Sequence, residues 1–137
     1  MIKNLPLAII CVVALLVLIF FVRRLTKRHI KKLNVAYFQK RWHEAQDLCS
    51  SRNTWPLAVI NGDKLLDDAL KKRGYKGKTM GERLVAAQHD LKDNDSVWYG
   101  HKLRNRIVHE EDTKLHKRDV QQALVGFRQA LKDLGAL

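Results

Sequence analysis

The chain has 137 residues, of which 46% are apolar and 7% aromatic. This length allows one modest domain and excludes a large multidomain enzyme. The apolar fraction is high enough to bury a core, which excludes a disordered chain. Two cysteines are too few for a disulfide framework. The formal charge of +12 points to nucleic acid or an acidic membrane surface, depending on where the charge lies.

The excess positive charge is concentrated at the N-terminus. The first 41 residues hold nine Lys or Arg and no acidic residue, which leaves 17 basic and 14 acidic residues in 42–137, a net of only +3. The greater part of the chain therefore has the charge balance of an ordinary domain. The small net charge of residues 42–137 gives little support to the idea that this part of the chain binds nucleic acid.

An uncharged apolar run from Leu5 to Val22 predicts a transmembrane helix. Its 18 residues would span about 27 Å, near the thickness of a bilayer's hydrocarbon core. A cleaved signal peptide is disfavoured because basic residues, and no small-residue cleavage site, follow the run. A buried helix is disfavoured because so small a domain could hardly enclose it. We therefore expect a short tail at 1–4, an uncleaved anchor at 5–22, and the lipid bilayer as a partner.

The basic residues that flank this run predict its orientation. Most of them lie in a juxtamembrane segment, 23–34, whose topology determinants are Arg23, Arg24, Lys27 and Arg28. The positive-inside rule places this side in the cytoplasm. The prediction is a single-pass protein of the inner, cytoplasmic membrane, with its N-terminus outside and its C-terminal domain in the cytoplasm. A nucleic-acid-binding arm is the alternative explanation of the cluster.

Residues 35–137 predict an antiparallel helical bundle, so the fold class is all-α. Apolar residues at steps of three and four, from Val35 to Cys49, predict that a helix continues out of the membrane with one apolar seam. A second helix begins near Thr54 and ends at Gly74. One of its faces is apolar, with Trp55, Ala58, Val59, Gly62, Leu65, Leu66, Ala69 and Leu70, and Asp63 is assigned to the opposite, polar face.

Three further helices follow in the predicted bundle. A capping box at residues 79–82 opens the third helix. Asp95 or Ser96 caps the fourth, which runs to about His109, and the last runs from about Lys117 to Leu134. The segment Gly77-Lys78-Thr79 lacks the spacing and the preceding strand of a phosphate-binding loop, which leaves a nucleotide-binding function with little support.

The fourth helix carries the chemical signal. Helical spacing predicts that Tyr99, Leu103 and Ile107 face the core. A polar row lies on the opposite side at successive four-residue steps: His101, Asn105 and His109. Because Trp98 and Val108 flank this row, we expect it to meet another surface, such as a second copy of the chain.

The motif Arg104-Asn105-x-x-x-His109 resembles that of the HEPN domains, small all-helical bundles found in prokaryotic defence and toxin systems. The resemblance covers about residues 35–137. It implies a homodimer in which two motifs form one composite site, and a metal-independent endoribonuclease activity. It also implies that Arg104 and His109 are the catalytic pair and Asn105 a polar helper. No cofactor or metal is expected.

The residue types suit such chemistry on their own terms. A histidine exchanges protons near neutral pH, as activation of a ribose 2′-hydroxyl requires. An arginine stabilises a phosphate through bidentate hydrogen bonds. His101 is a secondary candidate for a site residue. The histidines show no metal-ligand spacing with the cysteines.

Structural explanations of the same residues remain open. His109 would interact favourably with the dipole at a helix C-terminus, and Arg104 would pair with Glu110 or Glu111. The leading interpretation is a membrane-anchored HEPN-like domain that cleaves or binds RNA at the cytoplasmic membrane surface. The alternative is a non-enzymatic anchored module that dimerises or binds a protein partner.

Overall fold

The structure is a computed structural model that describes residues 5–25 and 31–137. These residues form six α-helices and no strand, so the all-α prediction is confirmed for the part of the chain described. The helices are α1 (Leu5–Leu25), α2 (Val35–Asp47), α3 (Trp55–Lys72), α4 (Met80–Ala87), α5 (Asn94–His109) and α6 (Lys117–Asp133).

The structure does not support the predicted membrane span. Among the described residues, no helix combines the length and the apolarity needed to cross a bilayer. The predicted transmembrane helix from Leu5 to Val22 is therefore wrong, as are the single-pass topology and the inner-membrane location that followed from it.

Several predictions at the N-terminus fall on residues that the structure does not describe. The tail at 1–4 and the segment 26–30, which includes Lys27 and Arg28, lie outside the described residues. The side chains of Arg23 and Arg24 at the end of α1 also lie outside them. The predicted topology determinants therefore have no described side-chain geometry.

Helix α2 begins with its own cap. Residues 31–34 are not helical, and the Asn34 side chain accepts a hydrogen bond from the backbone N–H of Tyr37 at 3.1 Å, which satisfies one of the unpaired donors of a helix start. The predicted apolar stripe lies in this helix, but the expected continuation of a helix out of the membrane is wrong, because residues 31–34 are not helical. Its buried stripe is Phe38, Trp42 and Ala45.

Helix α3 forms the middle of the bundle, and its predicted apolar face is confirmed. The buried residues are Ala58, Val59, Gly62, Asp63, Leu65, Leu66, Ala69 and Leu70. Asp63 is the exception, since sequence analysis assigned it to the polar face. It lies four residues after Val59 and three residues before Leu66, and this spacing keeps it on the buried side.

Helices α5 and α6 pack at short range because glycines line their contact. A Cβ atom added at Gly126 would lie 2.5 Å from the carbonyl carbon of Ser96 and 2.9 Å from the nitrogen of Val97. One at Gly100 would lie 2.7 Å from the ring of Phe127, which is fully buried. Any larger residue at these positions would push the helices apart. The position of α5 is therefore fixed against the core.

The shorter helices begin as local sequence dictates, with one correction. Thr79 caps α4 by accepting from the Glu82 N–H at 3.2 Å, and the Glu82 carboxylate accepts from the Lys78 N–H at 2.6 Å. Helix α5 is capped by Asp93, whose carboxylate accepts from the Ser96 N–H at 3.0 Å. The predicted caps at Asp95 or Ser96 were two to three residues too late, because Asp93 offers its acceptor first.

Candidate functional site

The polar row of α5 meets α3 of the same chain. The Nδ1 atom of His101 lies 2.8 Å from Oδ1 of Asp63, and the two side chains are 12% and 6% exposed. The sequence pattern predicts that this row lies opposite the core and faces another surface. For His101, that surface is the buried face of α3. The prediction of a homodimer is a separate matter and stays a prediction.

Four side chains form a closed polar cycle, which we call the Asp63 network: Asp63, His101, Asn105 and Arg104. The Asn105 amide nitrogen lies 3.4 Å from Nε2 of His101, and Arg104 Nη1 donates to Oδ1 of Asn105 at 3.0 Å. Arg104 Nε lies 3.6 Å from Oδ2 of Asp63, which closes the cycle. The structure therefore brings together three of the residues singled out from the sequence and adds Asp63.

The cycle has only one consistent direction for its hydrogen bonds. Arginine has no acceptor, so the Asn105 atom facing it must be the amide oxygen. The Asn105 amide nitrogen then donates to Nε2 of His101. Because neutral imidazole has one donor and one acceptor, Nδ1 of His101 carries the proton and donates it to Asp63. The network thus assigns His101 the Nδ1–H tautomer.

The environment of Asp63 opposes its ionisation. Burial raises the pKa of this carboxyl above its ordinary value. The hydrogen bond from His101 and the positive charge of Arg104 act to lower that pKa, and the nearby charge of Asp67 acts to raise it. The net pKa is raised, so the carboxylate depends on its two partners to stay charged in this position.

A cavity of about 820 Å³ lies beside the network, between α3, the start of α4 and α5. It is lined by all four network residues and by the cationic side chains of Lys64 and Lys71. Arg104 reaches it with its side chain 34% exposed. The three cationic side chains Lys64, Lys71 and Arg104 outnumber the two carboxylates of the lining, Asp63 and Asp67, and this net positive charge favours an anionic ligand.

A buried ion pair adjoins this cavity through Asp67, one of its lining residues. Arg83, only 7% exposed, donates from Nε to Asp67 at 2.7 Å and from Nη1 to the Gly77 carbonyl at 2.6 Å. Lys71 also contacts Asp67, at 2.6 Å. Burial acts to raise the pKa of Asp67, but the hydrogen bonds from Arg83 and Lys71 outweigh it, so the pKa is lowered. Asp67 is therefore held in place by paired charges.

His109 lies apart from the network. It is the last residue of α5 and is exposed. A five-residue step turns a helix through about 500°, which puts His109 about 140° around the axis from Arg104 and about 7.5 Å further along it. Within one chain the predicted catalytic pair therefore does not share a face.

The structural alternatives considered for Arg104 are also resolved. Arg104 pairs with Asp63, and it is Arg106 that approaches Glu110, at 3.6 Å. Asp63 is the site residue that sequence analysis missed. The signal was its spacing from Val59 and Leu66, which placed a carboxylate on an otherwise apolar face.

The comparisons do not assign this chain to a family. No protein-family model, curated protein or solved structure matches it.

Proposed function

We propose that the chain is a metal-independent endoribonuclease with a HEPN-like site completed by a second copy. The observation that carries the proposal is the placement of Arg104. Its guanidinium is held by two neighbours at the edge of an open cationic cavity, while an accessible histidine lies at the end of the same helix.

Arg104 is suited to bind a phosphodiester. A guanidinium has five N–H donors, and the network engages only those of Nη1 and Nε. The remaining donors are available for phosphate oxygens. In that position they would stabilise the charge that develops on phosphorus during cleavage.

His109 is suited to proton transfer because its side chain is exposed. In the proposed reaction, one His109 accepts the proton of the ribose 2′-hydroxyl, and the 2′-oxygen forms a bond to phosphorus. The bond from phosphorus to the 5′-oxygen breaks, and a second histidine donates a proton to that oxygen. The products are a 2′,3′-cyclic phosphate and a 5′-hydroxyl. No metal ion or redox partner is needed for the balance of this step.

The need for a second copy follows from helix geometry. Because Arg104 and His109 point about 140° apart on α5, one phosphate cannot easily reach both in one chain. Two α5 helices related by a two-fold axis would supply the missing partner to each other. The proposed enzyme is therefore a homodimer with a composite site.

The test uses the full chain and fluorescent single-stranded and structured RNA in EDTA. We expect cleavage by the wild type and a loss of about 10²–10⁴-fold in His109→Ala and in Arg104→Ala. The matched controls are His89→Ala, at another exposed histidine, and Arg106→Ala, at an exposed arginine of the same helix. Both controls should cleave like the wild type.

Mixing the two inactive variants tests the composite site. A mixed dimer keeps one Arg104 and one His109, so we expect the part of the activity that a single His109 supports to return, which neither variant shows alone. If the wild type, the variants and the controls are all equally inert while folded, the nuclease proposal fails. The non-enzymatic interaction module would then be the better explanation of the fold.

A further inference from the structure

We infer that Asp63 and His101 are positioning residues that hold Arg104, His101 acting through Asn105, and that His101 is not an acid or base of the reaction. This inference rests on the proposed function, because it assigns the support of the same phosphate-binding arginine. Nothing in the motif Arg104-Asn105-x-x-x-His109 points to Asp63, which lies 41 residues before Arg104.

Both ring nitrogens of His101 have hydrogen-bond partners within the protein. Nδ1 is 2.8 Å from the buried Asp63 carboxylate, and Nε2 faces the Asn105 amide at 3.4 Å. A general base needs a free lone pair within hydrogen-bond reach of its substrate. The lone pair of His101 is directed instead at Asn105, so the imidazole serves as a link between two side chains.

Two neighbouring side chains restrain Arg104. Its Nε forms an ion pair with the Asp63 carboxylate, and its Nη1 donates a hydrogen bond to the Asn105 amide oxygen. Asn105 can present that oxygen only while its nitrogen donates to His101. A long arginine side chain ordered before the substrate binds loses less freedom at the moment of binding.

One substitution removes the Asp63 contact of Arg104 and leaves its Asn105 contact in place. Asp63→Asn keeps an oxygen that can accept the Nδ1–H of His101, but its amide nitrogen is a donor and does not attract Arg104 Nε. We therefore expect the His101 tautomer to persist while Arg104 loses its ion pair with residue 63. Asp68→Asn is the matched control, since Asp68 lies on the same helix and pairs with Lys72 at 3.4 Å, away from the network.

The structural part of the test is nitrogen NMR on the full chain. In the wild type we expect the ring shifts of His101 to report a neutral Nδ1–H tautomer and the Nε–H of Arg104 to be ordered. Asp63→Asn should keep that tautomer and lose the order of Arg104, and Asp68→Asn should change neither. His101→Gln, which interrupts the link to Asn105 and leaves Asp63 in place, should also reduce the order of Arg104.

The catalytic part is a double-mutant cycle on RNA cleavage. Alone, Asp63→Asn should lower kcat/KM by about 10–100-fold, the usual loss when a supporting residue is removed. In the Arg104→Ala background it should have no further effect, because its target is already absent. A purely structural role would instead multiply the two losses.

The outcomes distinguish the two proposals. An Nε2–H tautomer of His101, an Arg104 that stays ordered in Asp63→Asn, or multiplying losses in the cycle would overturn the positioning role. If the wild type does not cleave RNA, the proposed function fails. The NMR results then still decide whether Asp63 and His101 hold Arg104.

Discussion

Replacing Gly126 by alanine should move the helix that carries the candidate site. The added Cβ would lie 2.5 Å from the carbonyl carbon of Ser96 and 2.9 Å from the nitrogen of Val97, and would also contact the carbonyl oxygen of Ser96. These are backbone atoms of α5, so no side-chain rotation relieves the contact. The substitution can be accommodated only if α5 and α6 separate.

The size of the effect follows from two opposed terms. Overpacking in a close contact costs about 1–3 kcal/mol, and a contact with backbone belongs at the upper end of that range. Alanine in place of glycine within a helix returns about 1 kcal/mol of helix propensity. The net loss in the free energy of unfolding should be about 2 kcal/mol. With a urea m-value of about 1–2 kcal/mol per M, the midpoint should fall by about 1–2 M.

The assay is urea unfolding followed by tryptophan fluorescence. All three tryptophans lie within residues 35–137, so the signal reports the bundle. Gly81→Ala is the matched control, because a Cβ at this other helical glycine would lie 3.5 Å from the Trp98 ring, an ordinary contact. We expect its midpoint to be unchanged or slightly raised. A Gly126→Ala chain as stable as the wild type would refute the close α5–α6 contact.

Two further predictions concern the buried ion pair. Arg83→Ala leaves Asp67 and the Gly77 carbonyl without this partner and should cost about 3 kcal/mol, whereas Arg41→Ala, at an exposed pair, should cost less than about 1 kcal/mol. Equal urea midpoints for the two would contradict the burial of Arg83. The second prediction concerns pH. Because the folded pKa of Asp67 is lowered from 3.8, its contribution is present above that value and is lost as the pH falls through the folded pKa. Urea midpoints measured from pH 6 to pH 2.5 should therefore fall less on the acid side in Asp67→Asn than in the wild type, and parallel curves would count against the lowered pKa.

Much of the fold was predictable because local signals agree with the packing. The Thr79 cap places the start of α4, and the apolar spacing of α3 identifies its buried face. Such features depend on residues within one or two turns of each other, which the sequence displays directly. The start of α5 was missed by two to three residues because Asp93, Asp95 and Ser96 are all acceptable caps.

The candidate site was predictable only in part. The side chains of Arg104 and Asn105 are adjacent in sequence, so their hydrogen bond is local. The contact between His101 and Asp63 joins residues 38 apart, and it depends on how α5 is rotated against α3. The ring of Phe127 in α6 lies against both Gly62 of α3 and Gly100 of α5, and these two close contacts set the rotation. A pattern on one helix does not contain this information.

The cap at Asn34 separates the bundle from the chain before it. In one continuous helix, each added residue rotates everything downstream by about 100°. Here α2 starts anew at Val35, and the burial of Phe38 and Trp42 sets its angle. A residue inserted before position 31 should therefore change the length of the connection and leave the orientation of α2 unaltered. The rotation of α2 about its axis is therefore set by its packing in the bundle and not by the helix that precedes it.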